Sequence, residues 1–335
     1  MVLLMLLDGS LRIVGLGAIC GTAYSLMRFV KALRSCCDAP TAHASMAPDA
    51  YAGKVVWITG ASSGIGKELA MHVGRQGAKV ILSARREAVL QQVAAEMQES
   101  LGSGGDVRVL PLDLEDVDSL EAKAQEALGL FGLVDVLVNN GGYTSRALAA
   151  DTKGVEEELK MMRVNFLSYV ALAKAVMPSM RERKSGHIIN ITSFAGKFGV
   201  PLRTLYCGAK HAVMGWFDAL RTEETGFWKS GIRVTNVCPG SVKTDVAINS
   251  VTADGSRRGY SDPNIDAGLD PAFVSDRILA AAHCGLEEVW IAPAQEIQGA
   301  YLNQYAPAMF KAMITGKARE MVARTMGEEF VKSRL

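Results

Sequence analysis

The sequence predicts an α/β fold: one doubly wound parallel sheet of seven strands, with a hydrophobic segment before it and a helical extension after it. Two observations carry this. Short apolar runs alternate with helix-spaced stretches from Lys54 to Ile291. The first run, Lys54-Val-Val-Trp-Ile-Thr59, ends in a glycine-rich turn and leads through a helix to a second run within about thirty residues, as a βαβ crossover requires.

The predicted strands are Lys54 to Thr59, Ala78 to Ser83, Val107 to Pro111, Val134 to Asn139, His187 to Thr192, Ile232 to Val237 and Glu288 to Ile291. Between them, helical spacing covers Ile65 to Gln76, Ala88 to Glu99, Val117 to Leu130, Val155 to Glu182, Thr204 to Trp228 and Pro271 to Cys284. The stretch Val246 to Leu269 is rich in Asp, Gly, Ser and Asn and is expected to be a long functional loop. The chain divides into a hydrophobic segment (1–34), an aperiodic linker with Pro40 and Pro48 (35–50), one sheet domain (51–295), and an extension (296–335) expected to form one or two helices.

Composition narrows the function classes. The 335 residues carry 36 basic and 35 acidic side chains and a net charge of +1, which offers nothing to nucleic acid. The cysteines Cys20, Cys36, Cys37, Cys207, Cys238 and Cys284 form no metal-type pair and no dense disulfide framework, so no metal is expected. Cys36 and Cys37 read as free thiols or, just beyond a hydrophobic segment, as palmitoylation sites.

Ile13 to Met27 is uncharged and rich in Gly, Ala and Leu, bounded by Arg12 and Arg28. It is shorter than the roughly 20 residues that span a bilayer, though snorkelling by the flanking arginines extends its reach. A membrane anchor over Ile13 to Val30 is the preferred reading, before a cleaved signal peptide or a buried helix. Arg28, Lys31 and Arg34 favour a cytosolic position for the remainder of the chain.

Three sets of residues carry chemistry. The turn Thr59-Gly60-Ala-Ser62-Ser63-Gly64-Ile65-Gly66 spaces its glycines for a tight turn and close backbone approach, with a helix N-terminus aimed at a pyrophosphate. The second strand ends in Ser83-Ala84-Arg85-Arg86 instead of a carboxylate. Two guanidiniums suit a ribose 2′-phosphate, which points to NADP(H) over NAD. Tyr206 and Lys210 lie one helical turn apart, and Ser193 follows the fifth strand at the carboxyl edge where such sheets bind ligands. A tyrosine with an unperturbed pKa near ~10 needs a neighbouring ammonium to work near neutrality.

Together with Asp113-Leu114, Asn139-Asn140-Gly141-Gly142, Asn165 and Pro239-Gly-Ser-Val242-Lys-Thr244, these residues resemble the short-chain dehydrogenase/reductase family over roughly residues 51 to 295. Val55-Val-Trp-Ile, Leu82-Ser-Ala-Arg-Arg86, Tyr206-Cys-x-x-Lys-His211 and Glu288-Val-Trp-Ile291 resemble its membrane-linked member 7 subfamily. The resemblance implies a Rossmann-type fold and an NADP(H)-dependent oxidoreductase that interconverts a lipophilic ketone or aldehyde, steroid- or retinoid-like, and its alcohol. A long-chain lipid ketone, or cofactor binding without catalysis, are the alternatives. It implies Tyr206 as acid/base, Ser193 on the carbonyl oxygen, Lys210 on the nicotinamide ribose and Asn165 holding a relay water. It also implies Asp113 at the adenine, Asn139 along the adenosine and Thr244 at the carboxamide, with Leu114, Pro239 and Val242 also binding the cofactor. Finally, it implies the endoplasmic reticulum and a homodimer paired through the helices at Val155 to Glu182 and Thr204 to Trp228.

Overall fold

The computed structural model describes residues 30–31, 34–101 and 106–334. Seven strands form one parallel sheet: β1 (Val55–Thr59), β2 (Lys79–Ser83), β3 (Val107–Val109), β4 (Val136–Asn139), β5 (Gly186–Ile191), β6 (Ile232–Pro239) and β7 (Glu288–Ile291). Their order is β3-β2-β1-β4-β5-β6-β7. The chain reverses direction across the sheet between β1 and β4, and ligands of doubly wound sheets bind outside the carboxyl ends at that point.

Alternation along β1 divides the core. Val56 and Ile58 pack with Val80 and Leu82 against the helices Gly64–Arg75 and Pro271–His283. Trp57 packs with Ile81, Leu137, Tyr169 and Phe217 on the opposite face, under Ser168–Glu182 and Thr204–Thr222. Side chains of successive strand residues point to opposite faces, so a run that is apolar throughout belongs to a strand covered on both sides.

Three expectations change. The segment read as a linker is packed: Cys37 and Thr41 are wholly buried, and Thr41 belongs to a short helix, Ala39–His43, that lies against the sheet edge. The Asp38 backbone N–H donates to the Trp290 carbonyl at 3.0 Å, and its carboxylate accepts from the Trp290 N–H at 3.2 Å. Open backbone groups on edge strand β7 are what this segment satisfies. Burial pushes the Cys37 thiol up to about 12, which leaves it an inert free thiol. The C-terminal extension holds three helices among the described residues, Ala294–Tyr305, Pro307–Met326 and Glu328–Lys332, because Pro307 and Gly327 interrupt the run. The helix expected over Val155 to Glu182 is interrupted by a π-turn at Arg163–Leu167.

The expected anchor, apart from Val30, lies outside the described residues. Among the described residues no helix is long and apolar enough to cross a membrane.

Candidate active site

A cleft of about 750 Å³ opens over the carboxyl ends of β1, β2, β4, β5 and β6. At one end the glycine turn passes from β1 into Gly64–Arg75, and Gly60, Ser62, Ser63, Gly64 and Ile65 line the wall. Gly60 and Gly64 hold φ of +65° and +56°, the left-handed region that glycine enters without steric cost. Gly66 lies beneath the turn, where a Cβ would stand 2.4 Å from the Gly60 carbonyl oxygen. The helix N-terminus has no side-chain cap, so its N–H groups remain available to an anion.

Arg85, Arg86, Asp113 and Leu114 line the neighbouring wall beyond β2 and β3. The Trp57 indole donates to Ser83 Oγ at 2.9 Å, which donates to the Leu110 carbonyl at 2.7 Å. That chain of bonds fixes the strand end from which both arginines project. They are exposed and face the cleft.

Asn139 stands elsewhere. It is wholly buried, and its Nδ2 donates to Asn190 Oδ1 at 2.9 Å. Asn190 donates on to Asn236, and Asn236 to Asp218, so the amides form a ladder across β4, β5 and β6 in register. Its neighbour Asn140 lines the cleft, and its Nδ2 donates to the Thr59 and Gly60 carbonyls at 2.9 and 3.2 Å. Thr59 Oγ1 in turn accepts from the Asn140 and Gly141 N–H groups at 3.0 and 3.1 Å. Asn140 is therefore the clamp on the glycine turn, a role the sequence left unassigned although the Asn-Asn pair was visible.

At the other end Ser193, Tyr206, Lys210 and Asn165 meet in the same cleft, with Pro239, Val242 and Thr244 beside them. Ser193 starts a short 3₁₀ turn, accepts from the Ala195 N–H at 3.1 Å, and shares a hydrogen bond with the Tyr206 hydroxyl. The Lys210 ammonium is buried 5.7 Å from the Tyr206 ring centre and donates to the Ile191 carbonyl at 2.9 Å and the Tyr169 hydroxyl at 3.3 Å. Burial brings Lys210 down to about 7.

Asn165 sits in the π-turn, a helix irregularity that often marks functional sites. Its Oδ1 accepts from the Tyr143 N–H at 3.3 Å, and its Nδ2 donates to the Met161 carbonyl at 3.3 Å. A Cβ on Gly142 would stand 2.4 Å from that Oδ1, so glycine there is what lets the amide approach.

The electrostatics of Tyr206 differ from the expectation. Burial raises its hydroxyl above the ordinary tyrosine value, and the opposing pulls come from Ser193, Arg203 and Arg146, not chiefly from Lys210. Lys210 spends its protons on Ile191 and Tyr169, below the phenol. Arg203, half-buried, and Arg146, fully buried, both line the cleft. Sequence reading missed both. Arg203 lies three residues before Tyr206 and was open to the same helical-turn argument as Lys210. Arg146 reaches the cleft from the loop after β4, and no local spacing signals it.

The comparisons agree with this geometry. The family profile described as short chain dehydrogenase matches residues 54–255. Dehydrogenase/reductase SDR family member 7 of Homo sapiens is 39% identical over 254 residues, 76% of this chain and 74% of its own. Member 7B of Rattus norvegicus is 38% identical over 269 residues, 79% of this chain and 82% of its own. A metagenomic short-chain oxidoreductase, solved in complex with NADP, superposes with a TM-score of 0.59 at 29% identity, over 72% of this chain and 98% of its own. A short chain dehydrogenase/reductase from Burkholderia phymatum, solved in complex with NAD, shares the fold with a TM-score of 0.67 at 22% identity, over 77% of this chain and 95% of its own. The chain belongs to the short-chain dehydrogenase/reductase family, and among its relatives it is similar to members 7 and 7B.

Proposed function

We propose that this chain is an NADP(H)-dependent oxidoreductase that interconverts a lipophilic ketone or aldehyde and its alcohol, with Tyr206 as the acid/base. The observation that carries the reading is the meeting of Ser193, Tyr206 and Lys210 in one cleft with an uncapped helix N-terminus and two exposed arginines.

The donor set fits a phosphorylated dinucleotide. Backbone N–H groups of the glycine turn and helix start suit the pyrophosphate, and the forked guanidiniums of Arg85 and Arg86 suit a 2′-phosphate. The metagenomic relative solved with NADP supports the choice. Asp113 and Leu114 would flank the adenine, and Pro239, Val242 and Thr244 the carboxamide.

When bound, the nicotinamide supplies or accepts the hydride. In the reducing direction Ser193 donates a hydrogen bond to the carbonyl oxygen, and Tyr206 gives that oxygen its proton. Charged Lys210 then favours the phenolate left behind. Asn165, reaching the cleft beside Gly142, holds the water that returns a proton. Tyr143 and Val251 pack beside Tyr206 and provide apolar walls for the substrate. The same reading attaches the enzyme to a membrane, at the endoplasmic reticulum, through Ile13 to Val30, with a cytosolic domain favoured by the basic flank. It also pairs two copies through the helical stretches Val155 to Glu182 and Thr204 to Trp228. Val155, Leu159 and Leu167 are exposed there.

The test is NADPH consumption by detergent-solubilised full chain across steroid ketones, retinal and aliphatic ketones, comparing wild type with Tyr206→Phe. Turnover is expected to fall at least ~100-fold in the variant, the scale of lost general acid catalysis, with NADPH binding retained. Near-normal turnover in the variant would remove Tyr206 from the chemistry.

A further inference from the structure

Arg146 and Arg203 line the Tyr206 end of the cleft, and behind them Asp262 meets a further guanidinium, Arg258. Arg146, 2% exposed, donates through Nε and Nη2 to Asp262 Oδ2 at 3.1 and 2.7 Å. Its Nη1 donates to Thr144 Oγ1 at 3.3 Å and to the Ser145 carbonyl at 3.0 Å. Arg258 lies 3.5 Å from the same Asp262 oxygen, and its Nη2 donates to the Thr325 carbonyl at 2.8 Å. The other Asp262 oxygen accepts from the Ile265 N–H at 3.2 Å. Asp262 is therefore bonded or ion-paired to two arginines and a helix start.

Arg203 is the third. It lines the cleft half-buried, and its side chain makes no hydrogen bond or ion pair among the described residues. Among the described residues no carboxylate forms an ion pair with it, although the Asp262 charge also acts on it. Of the carboxylates that line the cleft, Glu157 is held by Lys160 at 2.9 Å, Asp113 accepts from the Glu115 N–H at 3.0 Å, the Glu115 charge acts on Tyr143 and Lys160, and Asp245 is exposed. The backbone that presents Arg203 is fixed at some cost. Leu202, immediately before it, holds a φ of +66°, and its carbonyl accepts from the Ala147 N–H at 3.0 Å and Ser145 Oγ at 3.4 Å. Left-handed backbone at a bulky residue persists where surrounding contacts over-determine it, and such sites gather where geometry serves function.

The two ends of the cleft are separate along the sheet. Arg85 and Arg86 follow β2, whereas Arg203 pairs with Ala147 beyond β4 and stands about one helical turn from Tyr206. An anion on Arg203 therefore belongs to a molecule whose carbonyl is on Tyr206, and not to the 2′-phosphate end.

We infer that Arg203 determines substrate specificity by binding an anionic group, carboxylate or phosphate, carried a few atoms from the carbonyl of an otherwise apolar substrate. This rests on the proposed reading of the cleft and narrows it from lipophilic carbonyl compounds to amphiphilic anionic ones. Tyr143 and Val251 take the apolar part, and the guanidinium fork takes the anion.

The test uses the detergent-solubilised full chain with NADPH and three matched probes: 4-oxodecanoate, its methyl ester, and the phosphate monoester of 1-hydroxydecan-2-one. In the wild type, kcat/KM is expected to favour at least one anion over the ester by about 10- to 100-fold, the range of a charged hydrogen bond. Arg203→Gln should bring that ratio close to one, and Arg203→Lys should restore part of it, having the charge without the fork. Using a ratio cancels any loss that acts on all probes through Tyr206. The anion with the larger ratio identifies the group. Calorimetric binding of decanoate and decyl phosphate to the cofactor-free chain, wild type against Arg203→Gln, supplies a readout independent of turnover. Arg203-dependent binding without turnover of any probe would leave the subsite standing and overturn the catalytic reading. Turnover with the same anion-to-ester ratio in wild type and Arg203→Gln would overturn the subsite and leave the catalytic reading.

Discussion

Lys210 shows how a residue's surroundings reshape a role that its spacing suggests. Its distance from Tyr206 in sequence was enough to pair them, but burial decides its charge. With a native value of about 7 against an ordinary 10.5, the unfolded chain holds the extra proton between those two pH values. Stability of the cofactor-free chain is therefore expected to rise from about pH 7 toward pH 10, while below pH 7 the burial penalty stands in full. Lys210→Met, similar in length and uncharged, should flatten that rise. Denaturation midpoints measured across this range in both proteins check it, and parallel curves would exclude Lys210 as the source. Arg85 poses the opposite case, an exposed side chain whose meaning comes from its partner. Arg85→Asp is expected to weaken NADPH binding about 10-fold or more while leaving NADH within a small factor, since a like charge replaces a phosphate partner. Dissociation constants for both cofactors decide this, and an unchanged ratio would shift the role to Arg86.

At the scale of elements, the site depends on interruptions in regular structure. The helical pattern of Val155 to Glu182 reads as continuous because side-chain periodicity barely registers one extra residue in a turn. The π-turn at Arg163–Leu167 became visible only with the backbone, and it holds the buried Asn165. The loop after β6 behaves similarly. Its composition announced a long irregular stretch, but the residue that fastens it, Asp262, meets Arg146 across 116 positions. Asp262→Asn should leave Arg146 and Arg258 without a countercharge and lower stability by about 3–5 kcal/mol, the cost of breaking one side of a buried pair. Chemical denaturation would measure the loss. A change below about 0.5 kcal/mol, ordinary for surface substitutions, would mean that the arginines find other partners.

Over the whole molecule, both extensions fold back onto the β7 edge. Phe310 of the helix Pro307–Met326 meets Phe198 edge-on with centroids 4.7 Å apart, and Tyr301 packs against Trp290. The N-terminal strap covers the same edge, with the Ala39 N–H donating to the Tyr301 hydroxyl at 3.1 Å. A membrane test must therefore keep the strap. After alkaline carbonate washing, full chain is expected in the pellet and a form beginning at Arg34 in the soluble fraction. Full chain released by the wash would refute an anchor over Ile13 to Val30. A form beginning at Tyr51 would confuse the outcome, because it strips Cys37 and Thr41 from the sheet edge.

Residue order alone was enough for the sheet, the glycine turn and the pairing of Tyr206 with Lys210. These depend on periods and spacings within one or two elements, where local geometry is set by a few adjacent residues. It was also enough to place Arg85 and Arg86 at the end of the second strand, where they are exposed and line the cleft. The folded chain was needed to show that Asn139 belongs to an amide ladder while Asn140 clamps the turn, and that the supposed linker is a strap on β7. Folding alone brought Arg146 and Arg203 to the same end of the cleft, with Asp262 and Arg258 behind Arg146. Each of these depends on contacts between segments far apart in the chain. A side chain's charge and orientation there are set by burial and by distant partners, which no local pattern records.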